Sequence, residues 1–192
     1  MVDLERLKVL ADSYLDHILI IAEVQDKGAN LRDFVDPWWS LTRGPPFVKE
    51  AVNPSQHTLN NPCACGCEHQ FRLRALDWIS AGALDALARG ACKKKMKRGR
   101  DDLRDPSDRL IVDHAVPLAQ IYSLLFQPGR NWSRDSLRTM LAHHLKRGLL
   151  TKVEDKQLDV QGLNSAMPAG WEEGGDPFAR YRAAGIHQAV VR

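Results

Sequence analysis

Apolar residues recur at helical spacing from the start of the chain. Leu4, Leu7, Leu10, Tyr14, Leu15, Ile18 and Ala22 fall on one face, which predicts an amphipathic helix over residues 3–24, with Gly28 as the break after it. That face suits a core or a dimer contact. The periodicity is lost over residues 36–62, where Pro37, Gly44, Pro45, Pro46, Pro54 and Pro62 read as loop. Trp38 and Trp39 lie among them and suit anchoring a core edge better than stacking on bases. Phe71, Leu73 and Ala75 alternate with Arg72 and Arg74, which predicts a short strand. Trp78 to Ala91 is Ala-rich and reads as helix.

A polar turn ending near Asp108 precedes RLIVDH, and this β-branched run predicts a strand over Leu110 to Asp113. Leu118 to Phe126 reads as a helix stopped by Pro128-Gly129. Ser133 can cap a helix from Arg134 to Arg147, with Gly148 closing it and a short buried Leu149-Leu150 beyond. Thr151 opens a capping box completed by Glu154, predicting a helix from Lys152 to Val160 that ends near Gly162. The tail from Met167 is rich in turns and should pack back across the domain. No internal repeat is visible.

Composition narrows the class. The chain has 192 residues, 44% of them hydrophobic and 27% charged, enough for one domain with a core or one domain plus an appendage. No apolar run reaches the ~18 residues of a membrane span. The N-terminus opens with acidic residues and lacks a basic region before a cleavage site, so it reads as the helix of a cytoplasmic protein rather than a signal peptide. A net charge of +3 is compatible with nucleic acid without demanding it. The charge is uneven: Lys93, Lys94, Lys95, Lys97, Arg98 and Arg100 crowd into eight residues, a run suited to phosphate contacts through counterion release, or simply to a solvated loop.

The four cysteines, Cys63, Cys65, Cys67 and Cys92, read as metal ligands or free thiols in a reducing compartment. Thiolates with His69 nearby suit a structural zinc, with Cys92 closing the site. Buried free cysteines are the plain alternative, and an iron–sulfur cluster is more remote. A zinc there would pin the basic run beside the strand at Leu110.

The other candidate chemistry is Asp113-His114 in IVDHAVPL. Hydrolysing a phosphodiester needs a base for water, a metal for the leaving oxygen and a grip on the phosphate. Histidine titrates near neutrality and suits the first task; carboxylates suit Mg²⁺ or Mn²⁺. Neighbours on a strand point to opposite faces, so the pair can share a site only where the backbone turns, which Pro117 makes plausible.

IVDHAVPL resembles the first strand of HNH (ββα-metal, His-Me finger) endonucleases, and RGLLTKVED, Arg147 to Asp155, is similar to the second half-motif of the phage recombination endonuclease VII branch. The resemblance covers residues 108–160. It implies an α+β fold, mainly helical around a ββα-metal motif, with His114 as general base and Asp113 and Asp155 as metal ligands. Thr151 and Glu154 stand where that branch has zinc-binding cysteines, so a zinc at this point is not expected. The middle Asn has no clear equivalent: Asn131 fits by order, and His143 and His144 are others. The expected organisation is residues 1–62 for packing or dimerisation, 63–107 as a zinc element with the basic run, 108–165 as the nuclease motif and 166–192 as a packed tail. The expected function is a site-specific, restriction-type endonuclease acting on double-stranded DNA as a homodimer. The alternatives are a phage-type recombination or homing endonuclease, a non-catalytic zinc-stabilised DNA-binding regulator, and an interaction protein that oligomerises through its first helix.

Overall fold

The structure, a computed structural model, describes residues 3–43, 76–89, 91 and 106–189. The strand expected at Phe71–Ala75, the four cysteines, His69 and the Lys93–Arg100 run lie outside the described residues. The fold is α+β and mainly helical. Among the described residues the helices are α1 (Leu4–Glu23), α2 (Arg32–Arg43), α3 (Ala81–Ala88), α4 (Leu118–Leu125), α5 (Arg134–His144), α6 (Lys152–Val160) and α7 (Ala179–Ala183). A small mixed sheet of β1 (Trp78–Ile79), β2 (Leu110–His114) and β3 (Arg147–Thr151) has the order β1-β3-β2. No described helix is long and apolar enough to cross a membrane.

The first helix forms where its spacing predicts, capped by Asp3, whose side chain accepts from the Arg6 amide; it buries Leu7, Leu15, Ile18 and Ala22 of the expected face together with Ala11, while Leu4 and Leu10 of that face are exposed. The segment read as loop begins instead as α2, with Pro37 inside it. An interior proline costs about 3 kcal/mol. Burying Val35, Trp38 and Trp39 returns roughly 1.5–3 kcal/mol for each side chain, which outweighs it. These side chains join α1, α4 and α5 in one core with Leu15, Ile18, Ile121, Leu125, Leu137 and Leu141.

The sheet separates two smaller cores. Ile79, Leu110 and Leu149 face Ala83, Ala86 and Leu87 of α3. On the opposite face Trp78 and Leu150 meet Leu158 of α6 and Tyr181 and Ala184 of the tail. Trp78 and Ile79, expected to be helical, are strand because they pair in parallel with Gly148 and Leu149; the helix starts only after Ser80 caps it. Likewise α5 stops at His144, three residues before the predicted end, and Arg147–Thr151 pairs antiparallel with β2. Gly148 is therefore not a helix terminator. It is required by close approach: a Cβ there would lie 2.7 Å from the Tyr181 ring. Helix α6 follows β3 directly, and both halves of the Thr151–Glu154 capping box form.

Candidate functional site

Strands β2 and β3 end together, with His114 opposite Arg147 and Asp113 opposite Gly148. Strand β2 runs straight through both residues, so the turn that would have let Asp113 and His114 share a face does not form there, and the pleat sends these two pairs to opposite faces. Asp113 turns toward the α6 and tail side, and His114 toward α2. Two clusters result, one on each side of the strand end.

On the first side, Asp113 Oδ2 accepts from the Tyr181 hydroxyl at 3.0 Å and from Arg180 Nη2. The Arg180 side chain is 1% exposed, and its other donors go to backbone carbonyls: Nε to Ala115 at 2.8 Å, Nη1 to Leu163 at 2.6 Å and Asn164 at 3.4 Å, and Nη2 also to His114 at 2.5 Å. One guanidinium thus ties α7, the turn after α6 and the end of β2. Burial pushes the Asp113 carboxyl up, and the charge of Asp155 adds to this. Arg180, Tyr181 and His114 pull it down without cancelling, so it sits above the usual carboxylate range. Burial, with Asp113 adding, holds the Tyr181 hydroxyl neutral, far above its ordinary titration range.

On the second side, His114 Nε2 lies 2.9 Å from Asp36 Oδ1, and Arg147 Nη2 approaches the same oxygen at 2.6 Å. Arg32, one helical turn before Asp36, comes within 3.8 Å of its other oxygen. Burial alone would raise Asp36; the His114 bond and the charges of Arg147, His114 and Arg32 reverse this and hold it below its usual range. The Arg147 guanidinium lies over the Trp39 ring at 4.2 Å, and its backbone amide donates to Asp77 at 2.9 Å. Burial lowers the Arg147 pKa even against Asp36.

The expected metal ligands are only partly brought together. Asp155 lies within electrostatic range of Asp113, and its Oδ2 is paired with Lys152. Among the described residues no donor is bonded to Asp113 Oδ1, and no three His, Cys, Asp or Glu side chains converge to hold a metal ion. Two carboxylates with an oxygen each to spare do match the way Mg²⁺ is held, by one or two carboxylates with waters and substrate phosphates completing its shell.

Asn131 lies in the α4–α5 loop, lining a cavity of about 580 Å³ with Glu23, Lys27, Arg130 and Trp132; neither Asp113 nor His114 borders it. His143 contacts the Gly175 carbonyl at 3.0 Å, and His144 is buried between His143 and Trp171. Burial, aided by His143, pushes His144 down to about 4. Glu154 accepts from the Thr151 amide at 2.7 Å and from the buried Ser80 hydroxyl at 2.6 Å, joining α6 to the cap of α3.

Sequence reasoning did not single out Asp36, Arg180 or Tyr181, and it gave Arg147 no role. Asp36 stands beside a proline that masked the helical spacing of Leu31, Phe34, Val35, Trp38 and Trp39, and Arg180 and Tyr181 sit in a turn-rich tail. No protein-family model matches the chain, and neither a curated protein nor a solved structure matches it.

Proposed function

We propose that the protein is a metal-dependent DNA endonuclease of the HNH kind, hydrolysing phosphodiester bonds at the shared end of β2 and β3. The observation that carries this reading is the contact of His114 with Asp36 at 2.9 Å. A carboxylate accepting from Nε2–H fixes the tautomer and leaves Nδ1 with its lone pair, the form needed to take a proton from water. Asp113 and Asp155, on the other face of the strand end from His114, would hold Mg²⁺ or Mn²⁺, which supplies charge stabilisation for the leaving oxygen when bound, with the scissile phosphate reaching both faces around the strand end. Arg180 and Tyr181 fix one oxygen of Asp113 and so orient the other. The antiparallel strand pair followed by α6 is the order the ββα-metal motif requires.

Restriction-type cutting of double-stranded DNA belongs to the same proposal, as does a homodimer, for which the exposed Val9 and Ile20 of α1 and Val24 at its C-terminal cap offer an apolar surface. A structural zinc on Cys63, Cys65, Cys67 and Cys92, with Lys93–Arg100 gripping phosphates, completes it.

A second reading, a DNA-binding protein without catalysis, is favoured by one observation: Asp113 is already the counter-ion of a buried arginine, and it faces away from His114. Cleavage of supercoiled plasmid with Mg²⁺ or Mn²⁺ separates the two. The endonuclease reading expects wild-type cutting that His114→Ala abolishes; DNA binding with no cutting under either metal supports the second.

A further inference from the structure

His114 does not stand alone on its face of the strand end. Arg147 is its direct cross-strand partner in the last pair of β2 and β3, so both side chains leave the sheet on the same side. Three constraints hold Arg147 in place. Its guanidinium rests on the Trp39 ring at 4.2 Å, its Nη2 meets Asp36 at 2.6 Å and its backbone amide is bound by Asp77. Arg32 reaches toward the same carboxylate from the first turn of α2, and its side chain is 61% exposed. Asp36 therefore gathers two guanidinium groups and an imidazole around one point. Of the other carboxylates near this point, Asp77 pairs with Arg43, whereas Asp33 accepts only from the neutral Asn30 amide at 2.9 Å and keeps its charge.

We propose that Arg32 and Arg147 form a seat for one phosphate of a nucleic-acid backbone beside His114. A planar guanidinium offers paired donors that match two phosphate oxygens, and one already stacked and ion-paired loses little freedom on binding. Arg32 supplies the mobile half of the seat and Arg147 the fixed half. No described element covers the exposed guanidinium of Arg32. The ligand class is a phosphodiester; base identity plays no part, because backbone contacts position without reading sequence. The proposal rests on the reading that nucleic acid is the ligand, and its test separates the two.

The test is binding of a fluorescent DNA duplex by the full chain without divalent metal, in a His114→Ala background that prevents cutting, across a range of NaCl. Removing one phosphate-binding cation reduces the slope of log affinity against log salt by about 1. Arg32→Ala and Arg147→Gln should each lower affinity and flatten the slope by about that amount. Arg134→Ala, which removes an ion pair with Asp16 between α1 and α5, should leave the slope unchanged. An unchanged slope in both seat variants overturns the seat while leaving nucleic-acid binding intact. Absence of duplex binding by the parent overturns the nucleic-acid reading. A second probe then decides the seat by itself: inorganic phosphate titrated into the isotope-labelled wild type should shift the Arg147 Nε–H and Arg32 amide signals while the Arg134 signals stay still. Arg147 and Arg32 signals that do not move at 20 mM phosphate also overturn it.

Discussion

Replacing Asp113 by Asn should destabilise the protein severely, whatever its catalytic role. The side chain of Arg180 is 1% exposed and Asp113, its partner, 23% exposed. Asp113 is the carboxylate that balances this guanidinium, whose remaining donors are all spent on carbonyls. Removing one member of a buried pair costs about 3–5 kcal/mol, because the other charge is left without compensation. Asn keeps an oxygen that can still accept from Arg180, so the lower end, about 3 kcal/mol, is expected. For a chain of this size a loss of 1 kcal/mol lowers Tm by roughly 2–4 °C, so the variant should melt about 6–12 °C lower. Asp155→Asn removes only a surface pair with Lys152 and should change stability by less than about 1 kcal/mol. Thermal and urea unfolding of the two variants provide the comparison. An Asp113→Asn protein melting within 2 °C of wild type would refute the claim that Asp113 neutralises Arg180. If the drop is found, a loss of cleavage in Asp113 variants counts as evidence on metal binding only when measured well below their melting temperature.

Three further outcomes follow from other parts of the structure. His144 is held near 4 when folded and titrates near 6.5 when unfolded. The unfolded chain therefore binds more protons between these values. The stability His144 contributes is complete above pH 6.5 and lost as pH falls toward 4, by up to about 3 kcal/mol. Urea midpoints at pH 7 and pH 5 should differ less in His144→Leu than in wild type; equal pH dependence would contradict this. Gly148→Ala places a methyl group 2.7 Å from the Tyr181 ring and should cost about 1–3 kcal/mol by denaturant unfolding, and combining it with Tyr181→Ala should remove most of that increment. Metal analysis of the purified chain should find about one zinc per molecule; none would remove the proposed site at Cys63, Cys65, Cys67 and Cys92.

Much of the fold was legible where local signals agree. The apolar spacing of α1 and the start signals of α5 and α6, the Ser133 cap and the Thr151–Glu154 box, were enough to find these helices: α5 and α6 start where predicted and α1 one residue later. Local reading failed where partners distant in sequence decide the outcome. Pro37 argued against helix, yet burial of Val35, Trp38 and Trp39 makes α2. Gly148 looked like a helix stop, yet a tyrosine 33 residues later needs its bare Cα. The site divides the same way. Asp113, His114 and Asp155 could be found because they stand in compact motifs. Asp36, 78 residues from His114, and Arg180, 67 from Asp113, could not, because only the tertiary fold brings them to the strand end.

In the proposed endonuclease His114, oriented by Asp36, deprotonates the water that cuts DNA. Initial rates of supercoiled plasmid cleavage in Mg²⁺ and Mn²⁺ test it directly, with wild type, His114→Ala and Asp36→Asn compared at equal folded concentration. Loss of a general base typically costs 10²–10⁴-fold, and loss of a partner that orients a functional histidine about 10–100-fold. Metal-dependent nicking by wild type is expected, with a fall of at least about 100-fold in His114→Ala and a smaller fall in Asp36→Asn. Cleavage by His114→Ala at the wild-type rate, or no cleavage by wild type in either metal, would contradict it.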